Sequence, residues 1–222
     1  LMTEANDPDA WERRYRHGVQ ASWEFAPEPT DGEPRLPSTV RGSIIHGVLE
    51  RIEAEEELGR ILEETIGSLD EPELETMLGP GSAYREKLEE EIRRVVSSEE
   101  WAWYTAGEPG RDYWKELTFT HLVGRRDWRF GAFDLYRRLG DGAPERLARA
   151  LELDEGLDAL VIDFKTHRVT ADRAKAVARD YAIQADVYRA AAAIAGRPAV
   201  GLHFTEPNDL VPMREGVTSD ET

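Results

Sequence analysis

The chain has 222 residues, 28 Lys and Arg against 45 Asp and Glu, a formal charge of −17 and no cysteine. That length suits one domain with a real core, and 40% hydrophobic with 9% aromatic content argues against wholesale disorder. Lack of cysteine removes disulfides, thiolate zinc sites, cysteine nucleophiles and a cysteine-ligated iron–sulfur cluster; no apolar run approaches the ~20 residues that cross a bilayer, so a cytoplasmic protein without a membrane partner is expected.

Residues 1–37 hold Pro8, Pro27, Pro29, Pro34 and Pro37 and predict an extended strap or linker with one short helix around Trp11–Tyr15. Ile45, Val48, Leu49 and Ile52 then fall at i, i+3, i+4 and i+7, the stripe of an amphipathic helix. Leu58, Ile61, Leu62 and Ile66 predict a second helix. Beyond Gly79-Pro80-Gly81, Tyr84, Leu88, Ile92 and Val95 predict a third.

The character changes near residue 114. Trp114–Val123, the turn Gly124-Arg125-Arg126-Asp127 and Trp128–Tyr136 predict a β-hairpin. A long polar connection over 137–157 holds a short helix around Glu145–Leu151. Ala159–Phe164 reads as a strand covered on both faces. Thr170 caps a helix from Ala171 to about Ala195, and Ala199–Thr205 reads as a last interior strand. The expected domain spans 38–213, with a disordered tail over 214–222, and its order is helices followed by β-β-β-α-β.

Four groups of residues carry chemistry. Asp163 and Lys165 alternate along one strand and so point the same way, which suits either a strand-end ion pair or a carboxylate ligand beside a water-orienting ammonium. Asp134 is placed on one strand face with Trp128, Phe130, Ala132 and Tyr136, where a lone carboxylate is costly unless a cation or donors compensate it. Gln184 shares a helix face with Val177, Tyr181 and Tyr188; it is either a buried amide bonded to backbone or a buttress of a site. His46, four residues after Gly42, is either a boundary residue of its helix or a ligand. The other histidines have no comparable context.

In this order, Gly42…His46, Gly131-Ala132-Phe133-Asp134, Asp163-Phe164-Lys165-Thr166 and Tyr181…Gln184…Tyr188 resemble the RecB-type nuclease domain of the PD-(D/E)XK superfamily. Glu116, in Glu116-Leu117-Thr118-Phe119, resembles the acidic position that often opens the core of such domains. The resemblance covers about residues 38 to 213 and is nearest to the C-terminal nuclease domains of RecB and AddA helicase–nuclease subunits. It implies a restriction-endonuclease-like α/β (α+β) fold, a mixed sheet flanked by helices with an N-terminal helical portion.

It also implies a Mg²⁺- or Mn²⁺-dependent deoxyribonuclease, more readily an exonuclease than an endonuclease, acting in double-strand-break repair. His46, Asp134, Asp163 and the Phe164 carbonyl would bind the metal, and Glu116 would reach it through water. Lys165 would hold the attacking water, while Tyr181, Gln184, Tyr188 and Thr166 would support the site or touch the strand. Partners would be DNA and a helicase domain or subunit, fused or separate, because the chain has no phosphate-loop motif of its own. An insertion around Gly140–Gly156 is expected to loop out between the hairpin and the Asp163 strand.

The charge bears on this reading. Arginine outnumbers lysine 24 to 4, and the acids are dispersed, which fits a salty cytoplasm as well as a choice of partner. A site of carboxylates repels phosphate until a cation sits in it. Weak DNA binding by this chain alone, with delivery by a motor, is the expectation.

Overall fold

The computed structural model describes residues 36–69, 74, 77–123, 127–140, 143–154 and 156–214. The predicted helix around Trp11–Tyr15, nearly all of the strap, the Gly124-Arg125-Arg126 turn and the tail from 215 lie outside these residues.

The helical half forms where the apolar periodicity places it. Helix α1 (Ser38–Arg51) buries Ile44, Ile45, Val48 and Leu49. Helix α2 (Leu58–Gly67) buries Leu58, Ile61, Leu62 and Ile66. Helix α3 (Ala83–Val96) starts at Ser82, whose Oγ accepts the Tyr84 N–H at 3.2 Å, and buries Leu88, Ile92 and Val95. A short helix α4 (Glu99–Tyr104), absent from the sequence reading, is capped by Ser98 Oγ accepting the Trp101 N–H at 3.1 Å. These side chains merge with Leu135, Leu160, Ile162 and Phe164 into one core on one face of the sheet. Each such burial contributes about 1.5–3 kcal/mol.

The sheet has the order β1 (Tyr113–Val123), β2 (Asp127–Arg138), β3 (Ala159–Lys165), β4 (Pro198–Phe204) and β5 (Asp209–Pro212). Three neighbouring pairs are antiparallel, and β3–β4 is parallel. All of β3 is buried, as its apolar run requires. A parallel pair needs a crossover, supplied by α6 (Ala171–Ala178) and α7 (Ala182–Ala192), which cover the other sheet face with Ala185, Tyr188, Val177 and Tyr181. Helices thus lie on both faces of a five-stranded mixed sheet, the expected restriction-endonuclease-like class.

Three expectations need correction. The helix from Ala171 is not continuous to Ala195: a 3₁₀ turn at Arg179–Tyr181 separates α6 from α7, and a second at Ala193–Ala195 follows. A fifth strand, β5, pairs with β4 along the sheet edge, so β4 is interior only because of it. The insertion does not simply loop out. Its helix α5 (Glu145–Ala150) brings Leu147 into the core and is followed by buried Leu151. A Cβ at Gly201 on β4 would meet Leu151 Cδ2 at 2.6 Å, so this strand position admits only glycine without displacement.

Candidate active site

The site begins with an irregularity shared by two strands. The β1–β2 pairs run Lys115–Leu135 and then Leu117–Phe133, stepping over Glu116 and Asp134. Glu116 has φ +49°, a left-handed conformation that costs a non-glycine residue about 1–2 kcal/mol. Trp114 and Tyr136 on one side, and Leu117, Phe119 and Phe133 on the other, pack with Tyr188 of α7. Between them, Lys115, Glu116, Asp134 and Leu135 all line a cleft on the opposite face, with His46, Leu49, Glu50, Trp101 and Phe164. Alternation therefore skips once on each strand at the same level, and register is kept. Asp134 does not share a face with Tyr136, as strict period-two reading places it; the skip turns the two apart.

The cleft brings three donors together. One ligand atom each of His46, Glu116 and Asp134 lies within 4.8 Å of the others. Opposite ligands of one hard cation stand about 4–5 Å apart, so the spacing suits such an ion. His46 Nδ1 is 3.4 Å from Asp134 Oδ2, and 35% of the His46 side chain remains open to the cleft. Asp134 Oδ2 also accepts the Phe164 N–H at 2.7 Å. That amide is available because β2–β3 pairing ends at Leu135–Ile162 and the strands part beyond it.

Electrostatics point the same way. Burial, reinforced by the Asp163 charge, pushes the Asp134 carboxyl well above the usual range, against the opposing effects of Lys165 and the Phe164 amide. Burial and the charges of Asp134 and Glu50 raise Glu116 to about 7. Burial lowers His46 and so favours the neutral imidazole, the form that binds metals. Acids whose charge is disfavoured by burial and by one another, beside an imidazole whose cationic form burial disfavours, are a donor set that a cation relieves.

Asp163 and Lys165 sit next to this trio, both buried. Lys165 Nζ ion-pairs with Asp163 Oδ2, but that oxygen has no aligned hydrogen bond among the described residues. A buried carboxylate oxygen paired in charge and unsatisfied in geometry is a further opening for a cation. Lys165 Nζ donates to Gln184 Oε1 at 3.0 Å, Gln184 Nε2 donates to Tyr188 Oη at 2.8 Å, and Tyr188 Oη donates to Asp163 Oδ1 at 3.3 Å. The four side chains close a ring. Lys165 Nζ also stands 3.8 Å from the Tyr181 ring centroid, a cation–π contact, and Tyr181 Oη bonds His167 Nε2.

Each residue singled out in the sequence has a place here. His46, Glu116 and Asp134 converge; Asp163, Lys165, Gln184, Tyr188 and Tyr181 form the adjoining polar ring; Phe164 links β3 to Asp134. Glu116 stands among the three converging donors. Thr166 turns away: its carbonyl accepts from the Arg41 guanidinium, and its Oγ1 packs against Gly42, where a Cβ would stand 3.1 Å away.

The sequence reading missed a buried support. Arg41 ion-pairs with Glu91 of α3; Thr205 Oγ1 donates to Glu91 Oε1 at 2.5 Å, and the Thr205 N–H donates to the Lys165 carbonyl at 3.0 Å. A charged residue within the apolar stripe Leu88-Ile92-Val95 was the available signal. His167, also missed, is pushed down to about 4 by burial and by the Lys165 and Arg41 charges.

No curated protein matches the chain at significance. The sequence model of the PD-(D/E)XK nuclease superfamily matches residues 8–211, a span that contains the sheet, the cleft and the polar ring. By that match, supported by the mixed sheet and the His/Glu/Asp group at its fork, the chain belongs to the PD-(D/E)XK nuclease superfamily.

Proposed function

We propose that the protein is a divalent-metal-dependent deoxyribonuclease of the RecB type, the nuclease module of a helicase–nuclease in double-strand-break repair, more readily an exonuclease than an endonuclease. The observation that carries the reading is the convergence of His46, Glu116 and Asp134 beside the Asp163–Lys165 pair. The donor set is oxygen-rich with one imidazole and no thiolate, which suits Mg²⁺ or Mn²⁺. When bound, the cation supplies positive charge for the scissile phosphate and eases deprotonation of the attacking water.

His46, Glu116 and Asp134 would hold the ion, with Asp163 Oδ2 and the Phe164 carbonyl as the adjoining donors. Lys165 orients the attacking water and offsets charge on the phosphate; its ammonium is fixed by Asp163, Gln184 and the Tyr181 ring, so little reorganisation is needed. Tyr188 and Gln184 set the orientation of Asp163 and Lys165. Phosphodiester hydrolysis at such a centre would leave 5′-phosphate and 3′-hydroxyl ends. A separate or fused helicase would deliver DNA to a chain whose net charge is −17, in a cytoplasmic setting.

The test is a cleavage assay on linear single- and double-stranded DNA with Mg²⁺ or Mn²⁺, at low and high salt, with and without a partner helicase. Cleavage is expected with metal and is lost with chelator and in Asp163→Ala. A wild-type protein that never cuts defeats the enzyme reading; full activity in Asp163→Ala defeats the site.

A further inference from the structure

We infer that the outer half of the β1–β2 hairpin is a stacking platform for an unpaired nucleic-acid strand, formed by Trp128 and Phe130 with Leu122 beside them. The inference deepens the nuclease reading and rests on it for the strand's destination. Trp128 and Phe130 are each 54% exposed and Leu122 40%, a large apolar surface for side chains that ordinarily seek burial. Leu122 pairs with Trp128 and Thr120 with Phe130, so the three side chains share one face of the ribbon.

That face is fixed by its opposite. Phe119 and Phe133 stack at 4.6 Å and both meet Tyr188 edge-on, which puts them against α7. Gly131 belongs with them, since a Cβ there would strike the Phe119 ring at 2.7 Å. Positions 118, 120, 122, 128, 130 and 132 therefore face the other way, toward the side on which Glu116 and Asp134 line the cleft. The aromatic surface and the carboxylates are two parts of one continuous ribbon face.

Three features favour a nucleic-acid strand over other occupants. The surface leads directly to the candidate metal centre. Two of its three members are aromatic, and an unpaired base offers a π-face that stacks on such rings irrespective of sequence. At a strand rise of ~3.3 Å per residue, Phe130 and Trp128 stand roughly 13 and 20 Å along β2 from Asp134. Both distances exceed the Debye length of about 10 Å at 0.1 M salt, so the carboxylates repel a strand here only weakly. Duplex DNA buries its base faces and has nothing to stack.

The full chain is titrated, in chelator so that nothing is cut, against an end-labelled oligothymidylate and a duplex of equal length, with anisotropy as the readout. The single strand is expected to bind more tightly. Trp128→Ala and Phe130→Ala should each weaken it by roughly fivefold or more, the loss of one stacked base. Trp128→Tyr should retain binding, whereas Trp128→Leu, apolar without a π-face, should behave like alanine. In metal, the alanine variants should raise KM and leave kcat in place. Circular dichroism confirms that these exposed substitutions leave the fold intact. Unchanged affinity in the double alanine variant, rescue by leucine, or preference for duplex overturns the proposal, and loss of helicase association with strand binding intact would reassign the face to a protein. Because binding is read without metal, it stands or fails separately from cleavage.

Discussion

Asp134 Oδ2 accepts the Phe164 N–H at 2.7 Å, so a side-chain carboxylate occupies the place of a strand carbonyl where β2 and β3 part. The same oxygen lies 3.4 Å from His46 Nδ1. One atom thereby ties the helix, the hairpin and the central strand to a common point. It does so at an electrostatic cost, because burial and Asp163 both disfavour its charge.

Asp134→Asn separates these roles. The amide oxygen can still accept from Phe164 while the charge is gone. In chelator, the variant should melt at or above the wild-type temperature, and its cleavage rate should drop by at least ~100-fold. Asp134→Ala leaves the Phe164 N–H without a partner and should lose about 1–3 kcal/mol as well. Scanning calorimetry and a cleavage assay on the same samples check both; an asparagine variant that cuts normally removes Asp134 from the site.

The ring of Lys165, Gln184, Tyr188 and Asp163 should behave as a unit. Tyr188→Phe takes the acceptor from Gln184 and the donor from Asp163. Cleavage should fall by about 10–100-fold, and Gln184→Leu should cost a similar factor. The double variant should lose much less than the product of the two, since each change breaks the same ring. Additive losses would show two independent contributions.

Buried Arg41 and Glu91 have different consequences. Glu91→Ala leaves the guanidinium buried without its carboxylate and removes the acceptor of Thr205. Urea denaturation should show a loss of about 3–5 kcal/mol, most of it recovered when Arg41→Met is added. Recovery of stability without recovery of cleavage would mark the pair as a support of Lys165 and Thr166.

His167 makes stability depend on pH with a definite sign. Its folded pKa is about 4 against an ordinary 6.5, so between these values the unfolded chain holds a proton that the folded chain does not. Stability should rise with pH across that window, by roughly 2–3 kcal/mol, and this contribution is level above it. Glu116 opposes it: its folded value near 7 exceeds the ordinary 4.5, so the folded chain holds the extra proton and stability falls with pH between them. The difference between wild type and His167→Gln across pH 4 to 7 isolates the first slope. A flat difference rules out the buried neutral imidazole.

How far these elements were legible depended on the range of the signal. The long helices and strands follow periodicity of their own residues, and α1, α3, β1, β2 and β3 lie where that periodicity placed them. Asp163 and Lys165 share a face because β3 is regular. The skip at Glu116 was not legible: left-handed backbone is signalled by glycine or asparagine, and a glutamate there announces nothing. Its effect is to send Tyr136 and Asp134 to opposite faces and to bring Glu116 in among the donors. Strand β5 is four residues, Asp209–Pro212, following Asn208, itself left-handed at φ +49°, and is too short for alternation to register. Leu151, just after α5, packs over Gly201, fifty residues away in the chain, a contact no local window contains.

The parallel pairing of β3 with β4 also dictates when the centre can exist. His46 comes from α1, Glu116 and Asp134 from the hairpin, and Gln184 and Tyr188 from the crossover that must close before β4 can dock on β3. Such non-local pairing forms late and slowly relative to helices and hairpins. A chain emerging from the ribosome would thus hold Glu116 and Asp134 together in a formed hairpin while Asp163, Lys165, Gln184 and Tyr188 still awaited their partners. On that order, the polar ring beside the cleft closes only once the last strands of the sheet have found their places.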